Sequence, residues 1–141
     1  MRVVIVCTGN VARSPALALL LSDLRPDLDV SSAAVGLKAK QGRRCARNMR
    51  LLLAEAGHVE AAENHRSRLY IDLPERPDVV VACAPIHVKR LAAVDPEANV
   101  MECSPPIPDP AFGGMDSYLS AWPLLVKAAH HFAHIIPGAP R

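Results

Sequence analysis

The chain has 141 residues, half of them hydrophobic, which is enough for one domain with a packed aliphatic core, because aromatic residues make up only 4%. The formal net charge of +2 argues against a protein that binds nucleic acid through bulk positive charge. No apolar stretch reaches membrane-spanning length, and the first residues lead directly into a predicted strand, so we expect neither a membrane span nor a signal peptide.

Strand-like and helix-like segments alternate along the chain. In order, they are a strand at 2–6, a helix at 15–24, a strand at 30–34, a helix at 44–56, a strand at 78–83, a helix at 85–93, a strand at 99–102 and a helix at 115–136. This alternation predicts an α/β fold in three layers, with a central four-stranded parallel sheet between helices. We expect a single domain over residues 1–141, with a flexible tail at 137–141.

Two helices carry local predictions. Ser14 is expected to cap the first helix and Pro15 to take its first position. In the last helix, the apolar residues predicted to share one side are Leu119, Trp122, Val126 and Ala129. Pro123 removes a hydrogen bond about two turns into that helix, so the helix either kinks there or begins near Ser120.

A phosphate-binding loop is predicted between the first strand and the first helix, with the sequence Cys7-Thr8-Gly9-Asn10-Val11-Ala12-Arg13. Backbone amides of such a loop converge on an anion, and the following helix points its positive end at the same place. Cys7 is the candidate nucleophile, because a thiolate attacks phosphorus. Arg13 is the candidate clamp, because its planar guanidinium binds two phosphate oxygens at once.

Asp109 is the candidate general acid. A phenolate leaving group needs a proton, and a water must later be activated to cleave a phosphocysteine. One carboxyl group serves both steps by changing its protonation state. Asp-Pro pairs also commonly initiate turns, so Asp109 and Pro110 have a purely structural interpretation as well.

The whole chain resembles the low-molecular-weight protein tyrosine phosphatases. Three segments carry the resemblance, which are the phosphate loop from Val6 to Pro15, the basic segment His65-Arg66-Ser67-Arg68 and the segment Ile107-Pro108-Asp109-Pro110. The resemblance implies the fold of that family and hydrolysis of phosphotyrosine through a phosphocysteine, without metal or cofactor. The implied partners are a phosphotyrosine-containing protein, with a bacterial tyrosine kinase as the narrower match, and inorganic phosphate or a similar oxyanion in the loop.

The resemblance also implies the remaining site residues. The phosphate would contact the loop around Thr8, Gly9, Asn10, Val11, Ala12 and Ser14. Asn10 would take the left-handed backbone geometry that asparagine tolerates, held by serine and histidine partners that include Ser32 and His65. Leu37 and Phe112 are the apolar candidates for the rim of the substrate site. Five basic residues near that rim would favour acidic substrates. They are Lys38, Lys40, Arg43, Arg44 and Arg47.

Two loop positions depart from related sequences. Many members of the family have a second cysteine where this chain has Ala12, and that cysteine pairs with the nucleophile and shields it. Its loss predicts that peroxide oxidises Cys7 irreversibly, beyond sulfenic acid. Relatives specific for phosphoarginine resemble this loop but have threonine at the position of Val11, whose apolar side chain fits the tyrosine phosphatase type.

Other interpretations remain open at this point. Arsenate reductases share the implied fold, but they need further cysteines to relay electrons, and after Cys83 the chain has none until Cys103. A phosphate-dependent binding module is the other class, although such relatives usually lose the cysteine, the arginine or the aspartate. His130 and His134 have a metal-binding spacing on a helix, without an evident third ligand. The four cysteines, Cys7, Cys45, Cys83 and Cys103, form no C-x2-C pattern. We therefore expect reduced thiols in a cytoplasmic protein.

Overall fold

A four-stranded parallel sheet lies at the centre of the computed structural model, which describes residues 1–138. The strands lie in the order β2-β1-β3-β4, and they are β1 (Arg2–Cys7), β2 (Asp29–Ala34), β3 (Val79–Ala82) and β4 (Val100–Glu102). The helices are α1 (Arg13–Leu24), α2 (Arg47–Glu55), α3 (Val59–Asn64), α4 (Pro85–Val94) and α5 (Gly114–Ile135). Of the predicted tail at 137–141, residues 139–141 lie outside the described residues.

The two faces of the sheet have separate hydrophobic cores. Side chains alternate along a strand, so in β1 Ile5 and Cys7 face one core while Val4 and Val6 face the other. The larger core contains buried residues of α1, α2, α3 and α5, and the smaller one contains Leu91 of α4 and Tyr70 of a short 3₁₀ helix over Tyr70–Asp72. The predicted three-layer α/β/α fold is therefore confirmed.

The start of α1 differs from the prediction. The helix begins at Arg13, with Ala12 at the capping position, and Ser14 lies buried inside the first turn instead of capping it. The reason is that the Ser14 hydroxyl is taken up by hydrogen bonds with Cys7 and Asn10. Pro15 is the third residue of the helix instead of the first, and it still lies in the first turn, where a missing N–H is tolerated because the first amides of a helix have no intrahelical partner.

Helix α5 does not begin near Ser120, which was one of the two alternatives foreseen for Pro123. It runs without interruption from Gly114 to Ile135, with Pro123 exposed on its outer side, where water reaches the carbonyl that loses its partner. The predicted apolar side is offset by one position, since Leu119 is exposed. The buried residues are Tyr118, Ala121, Leu125, Ala128, Ala129 and Phe132.

The region between α2 and β3 contains two elements that the sequence did not predict, α3 and the 3₁₀ helix over Tyr70–Asp72. Helix α2 begins at Arg47, three residues after the predicted start, because Arg44 pairs in a bridge with Arg66. It ends before Gly57, whose φ of +93° fits the predicted role of that glycine in closing the helix. Helix α3 has only one buried residue, Ala62, so its sequence shows no apolar periodicity that would predict a helix.

No helix within residues 1–138 combines the length and apolar character that crossing a membrane requires.

Candidate active site

The predicted phosphate loop lies at the carboxyl edge of the sheet, between β1 and α1. Its backbone is tied down on one side, because Val35 and Gly36 donate their amides to the carbonyls of Cys7 and Thr8 at 3.0 and 2.9 Å. On the other side the amide of Ala46 donates to the carbonyl of Val11 at 2.7 Å. The loop is thus held between the segment after β2 and the segment before α2.

Cys7 and Ser14 are in direct contact. The Cys7 Sγ lies 3.0 Å from the Ser14 Oγ, and both residues are buried. Ser14 also accepts a hydrogen bond from Asn10 Nδ2 at 2.8 Å, so its hydroxyl proton is free to point at the sulfur. A hydroxyl that donates to sulfur stabilises a thiolate, and this is the chemistry that the geometry allows.

Asn10 is the most constrained residue of the loop. Its φ of 58° is left-handed, as the sequence predicts, and its side chain is fully buried. Its Oδ1 accepts from the backbone N–H of Arg68 at 3.0 Å, and its carbonyl accepts from the Nε2 of His65 at 2.7 Å. Burial lowers the pKa of His65, which favours the neutral ring with its proton on Nε2.

Ser32 joins this network in a different way from the prediction. Its backbone carbonyl accepts a hydrogen bond from Arg68 Nε at 3.0 Å, while the amide of Arg68 holds Asn10. Arg68 therefore links β2 to the loop, and it is a site residue that sequence reasoning missed. The signal was present, since Arg68 ends the same basic segment that begins with His65.

Arg13 and Asp109 face each other across the site. Arg13 is buried, and its Nη1 donates to the carbonyl of Ile107 at 3.1 Å. Its Nη2 lies 3.7 Å from the Oδ2 of Asp109, whose side chain is 47% exposed. The other carboxylate oxygen of Asp109 accepts from the amide of Ala111 at 3.1 Å, so the residue also shapes the turn. The structure thus brings the phosphate loop and the Asp-Pro segment together.

His87 is a second site residue that the sequence analysis missed. Its Nε2 lies 3.0 Å from the Thr8 Oγ1, and Arg13 Nη2 donates to the same hydroxyl at 3.4 Å. The imidazole is fully buried, and burial together with the positive charge of Arg13 lowers its pKa to about 4. A neutral histidine therefore supports the side chain of Thr8. The available signal was its position in the first turn of α4, directly after β3.

The predicted rim is exposed around the loop. Leu37 and Phe112 are 79% and 97% exposed, and so both are free to contact a substrate. The five basic residues of the rim are exposed too, although Arg44 forms a salt bridge with Glu63 at 2.6 Å. Gly36 was not predicted as a site residue, yet a Cβ there would lie 2.6 Å from the carbonyl oxygen of Thr8.

The histidine pair on α5 lies away from these residues. His130 and His134 are both exposed on the helix. Over residues 1–138, no three His, Cys, Asp or Glu side chains come together in the way that a metal ion would need. The site described above consists of protein groups that suit an oxyanion.

Comparison with known proteins identifies the family. The model of the family described as low molecular weight phosphotyrosine protein phosphatase matches residues 2–134. The chain belongs to this family of hydrolases. Among curated relatives, the low-molecular-weight protein-tyrosine-phosphatase Wzb of Escherichia coli strain K12 is 28% identical over 144 aligned residues, covering 95% of this chain and 94% of Wzb.

The solved structures that resemble this chain include tyrosine phosphatases and arginine phosphatases. Wzb from Escherichia coli K30 in complex with sulphate has a TM-score of 0.84 and 25% identity, covering 96% of this chain and 98% of that one. The YwlE arginine phosphatase of Geobacillus stearothermophilus has a TM-score of 0.81 and 30% identity, covering 94% of this chain and 90% of YwlE. Family membership therefore establishes a phosphatase and leaves its substrate to be argued from the site.

Proposed function

We propose that the chain is a protein-tyrosine phosphatase that hydrolyses phosphotyrosine through a phosphocysteine on Cys7. The observation that carries this proposal is the position of Asp109, 3.7 Å from the Arg13 guanidinium at the mouth of the phosphate loop. The arrangement has a nucleophile, an anion clamp and a proton donor around one space. Those are the groups that phosphomonoester hydrolysis without a metal requires.

In the first step the Cys7 thiolate attacks phosphorus in line with the bond to the phenolic oxygen. Arg13 and the amides of the loop bind the equatorial oxygens, whose charge is redistributed as the bond breaks. Arg13 is preorganised for this, because Ile107 and Thr8 already fix its guanidinium. Asp109 gives its proton to the leaving oxygen, so that a neutral phenol departs and a phosphorus–sulfur bond remains.

In the second step a water molecule replaces the phenol. The Asp109 carboxylate takes a proton from this water, whose oxygen attacks phosphorus. The phosphorus–sulfur bond breaks, inorganic phosphate leaves, and Cys7 returns as a thiolate. Ser14 stabilises that leaving thiolate, since its hydroxyl lies 3.0 Å from the sulfur.

The rim supports phosphotyrosine rather than phosphoarginine as the substrate. Phosphoarginine has a guanidinium group, which the exposed cations Lys38, Lys40 and Arg43 repel. The same cations attract an acidic segment around a phosphotyrosine. Val11 is a half-buried residue of the loop and offers an apolar contact to an aromatic ring. We infer that the partner is an acidic, tyrosine-phosphorylated protein, and a bacterial tyrosine kinase is the narrower candidate that the sequence resemblance implies.

A substrate panel tests this specificity. Matched peptides with phosphotyrosine, phosphoserine or phosphoarginine, with acidic or neutral flanking residues, are expected to give the highest kcat/KM for acidic phosphotyrosine peptides. A preference for phosphoarginine would instead place the chain with YwlE. Arsenate, with thioredoxin as reductant, belongs in the same panel because Cys83 and Cys103 directly follow β3 and β4, at the same edge of the sheet as Cys7.

The substitution Cys7→Ser tests the nucleophile. We expect turnover of p-nitrophenyl phosphate to be abolished while inorganic phosphate still raises the melting temperature, because the loop amides and Arg13 remain. Cys45→Ser is the matched control, since Cys45 is also buried but lies outside the loop. Residual turnover in Cys7→Ser near that of the wild type would rule out a phosphocysteine on this residue.

The substitution Asp109→Ala tests the general acid. We expect kcat for phenyl phosphate to fall by roughly a hundredfold or more, because the phenolate then leaves without a proton. Asp109→Asn separates this role from the turn, since an amide oxygen still accepts from Ala111 but the side chain transfers no proton. Asp116→Ala, at an exposed acid in the first turn of α5, is the control. High activity in Asp109→Asn would reduce Asp109 to a turn residue.

A further inference from the structure

Three cysteines lie side by side at the ends of three neighbouring strands. In the parallel register Val6 pairs with Ala82, and Ala82 pairs with Glu102. The next residue on each strand is a cysteine, giving the row Cys7, Cys83 and Cys103. The sheet hydrogen bonds extend to this row, because the amides of Cys83 and Cys103 donate to the carbonyls of Val6 and Ala82 at 3.1 and 2.9 Å.

The three side chains also share one face of the sheet. All three belong to the larger core, together with Ile5 and Val81 two positions earlier on their strands. Each cysteine is at most 2% exposed, so the row is covered by protein. Cys83 occupies the middle position, between the proposed nucleophile and Cys103.

Electrostatic interactions also link these groups. A hydrogen bond with Cys103 and burial raise the pKa of the Cys83 thiol, and the charge of Cys7 raises it further. Arg13 acts in the opposite direction on the same thiol. Cys83 therefore interacts with both its neighbours in the row and with the cation that would bind phosphate.

The spacing of a sheet suits a disulfide between neighbouring positions. Adjacent strands lie about 4.8 Å apart, and disulfides join Cα atoms that are about 4.4–6.8 Å apart. Cys7 ends β1 and Cys83 directly follows β3, so the two residues lie at the same level of neighbouring strands. The register therefore gives the two Cα atoms a separation that a disulfide spans.

We propose that Cys83 is the resolving thiol for Cys7, forming a Cys7–Cys83 disulfide when a peroxide oxidises the proposed nucleophile. The Cys7 thiolate attacks hydrogen peroxide, gains one oxygen as sulfenic acid and releases hydroxide. The Cys83 thiol then displaces that oxygen as water, and the sulfur–sulfur bond forms. The proposal rests on the reactivity of Cys7 in the proposed function, and it assigns Cys83 a redox role that phosphate hydrolysis does not use.

The first oxidation favours the second step. A sulfenic acid is neutral, so oxidation of Cys7 removes the negative charge that opposes ionisation of Cys83. Arg13 remains and favours the Cys83 thiolate. The fold thereby supplies the protection that the loop lacks at Ala12, and the irreversible inactivation expected from Ala12 alone is replaced by a reversible one.

Peroxide treatment of the full chain tests the proposal. The protein is exposed to a small excess of hydrogen peroxide, free thiols are blocked, and unreduced peptides are analysed by mass spectrometry. Activity on p-nitrophenyl phosphate is measured before treatment, after it and after dithiothreitol. We expect a Cys7–Cys83 disulfide peptide and recovery of most of the initial activity in the wild type.

The variant Cys83→Ala is expected to lose the disulfide peptide, to accumulate sulfinic acid on Cys7 and to recover less than about a tenth of its own initial activity. Cys45→Ala is the matched control, since Cys45 is buried in the same core outside the row. Recovery in Cys83→Ala equal to that in Cys45→Ala would overturn the proposal, as would sulfinic acid without disulfide in the wild type.

The peptide analysis needs no turnover, so it separates this proposal from the proposed function. An oxidised wild type with a Cys7–Cys83 peptide supports the resolving role even if the chain does not hydrolyse phosphotyrosine. If Cys83→Ala fails to fold, Cys83→Ser replaces it, because serine keeps the size and hydrogen-bonding capacity without a sulfur. The same two outcomes then decide the question.

Discussion

At the scale of single residues, the phosphate loop depends on an asparagine that few other side chains replace. Asn10 combines a left-handed backbone with complete burial and three hydrogen bonds, to Ser14, Arg68 and His65. Most L residues are disfavoured in that conformation, and glycine tolerates it but supplies no amide group. The residue therefore holds the loop in shape through its backbone and its side chain at once.

Substitutions at Asn10 separate these two contributions. We expect Asn10→Ala to lower the free energy of unfolding by about 3 kcal/mol, because left-handed strain adds to the loss of buried hydrogen bonds. Asn10→Gly removes the strain and is expected to be about 1 kcal/mol less destabilising than alanine. Urea unfolding measures both, with Asn48→Ala in α2 as the control. Equal losses in the two variants would show that backbone strain is irrelevant at this position.

Site residues differ in how far the sequence predicts them. Cys7 and Arg13 could be predicted because a local spacing and a strand-to-helix position identify them. Arg68 and His87 had only indirect signals, the basic segment and the position after β3, because each reaches the loop through a tertiary contact, by a backbone amide and by a buried imidazole respectively. Such contacts depend on which strand ends become neighbours, and a single sequence contains no direct signal for that.

At the scale of elements, the segment after β2 is fastened to the phosphate loop by close contact. The amides of Val35 and Gly36 donate to the loop carbonyls, so the two segments run side by side beyond the sheet. Gly36 is necessary there, because a Cβ would meet both the carbonyl oxygen and the Cγ2 of Thr8 within 2.7 Å. The rim bearing Leu37 and Lys38 is thereby placed relative to the bound phosphate.

The variant Gly36→Ala is expected to reduce kcat/KM by roughly tenfold or more, because displacement of Thr8 moves the loop amides away from the phosphate. The measurement is steady-state hydrolysis of p-nitrophenyl phosphate, with circular dichroism to confirm folding. Gly42→Ala is the control: Gly42 has a φ of +82° and open space around its Cβ position, so alanine there costs about 1 kcal/mol of stability but little activity. Similar activities in both variants would contradict the positioning role.

At the scale of the whole molecule, alternation of strands and helices was sufficient to predict the layers and the parallel sheet. The four strands and four of the helices lie within a few residues of their predicted places. The failures have a common cause, since Ser14 left its capping role, the helix with Pro123 begins before Ser120, and Leu119 lies outside the core. In each case a tertiary contact or an exposed position outweighed the local preference of the residue.

Burial of His87 links the site to the stability of the whole molecule. Its pKa falls from 6.5 to about 4 on folding, because burial and Arg13 oppose the charged ring while Asp109 offsets them only in part. Between pH 6.5 and about pH 4, His87 is therefore protonated in the unfolded chain but neutral in the folded chain. The stabilising effect of neutral His87 is complete above that pH and is lost as the pH falls towards 4.

We expect the wild type to lose about 2–3 kcal/mol more stability than His87→Gln between pH 7 and pH 4.5, because glutamine does not titrate. His65, whose pKa is also lowered, is present in both proteins and cancels from the comparison. Urea unfolding at half-unit pH steps measures the two slopes, and the exposed His130→Gln variant is expected to keep the wild-type slope. If His87→Gln also kept that slope, the folded protein would accept a proton on His87 as readily as the unfolded chain, and its neutral support of Thr8 would be refuted.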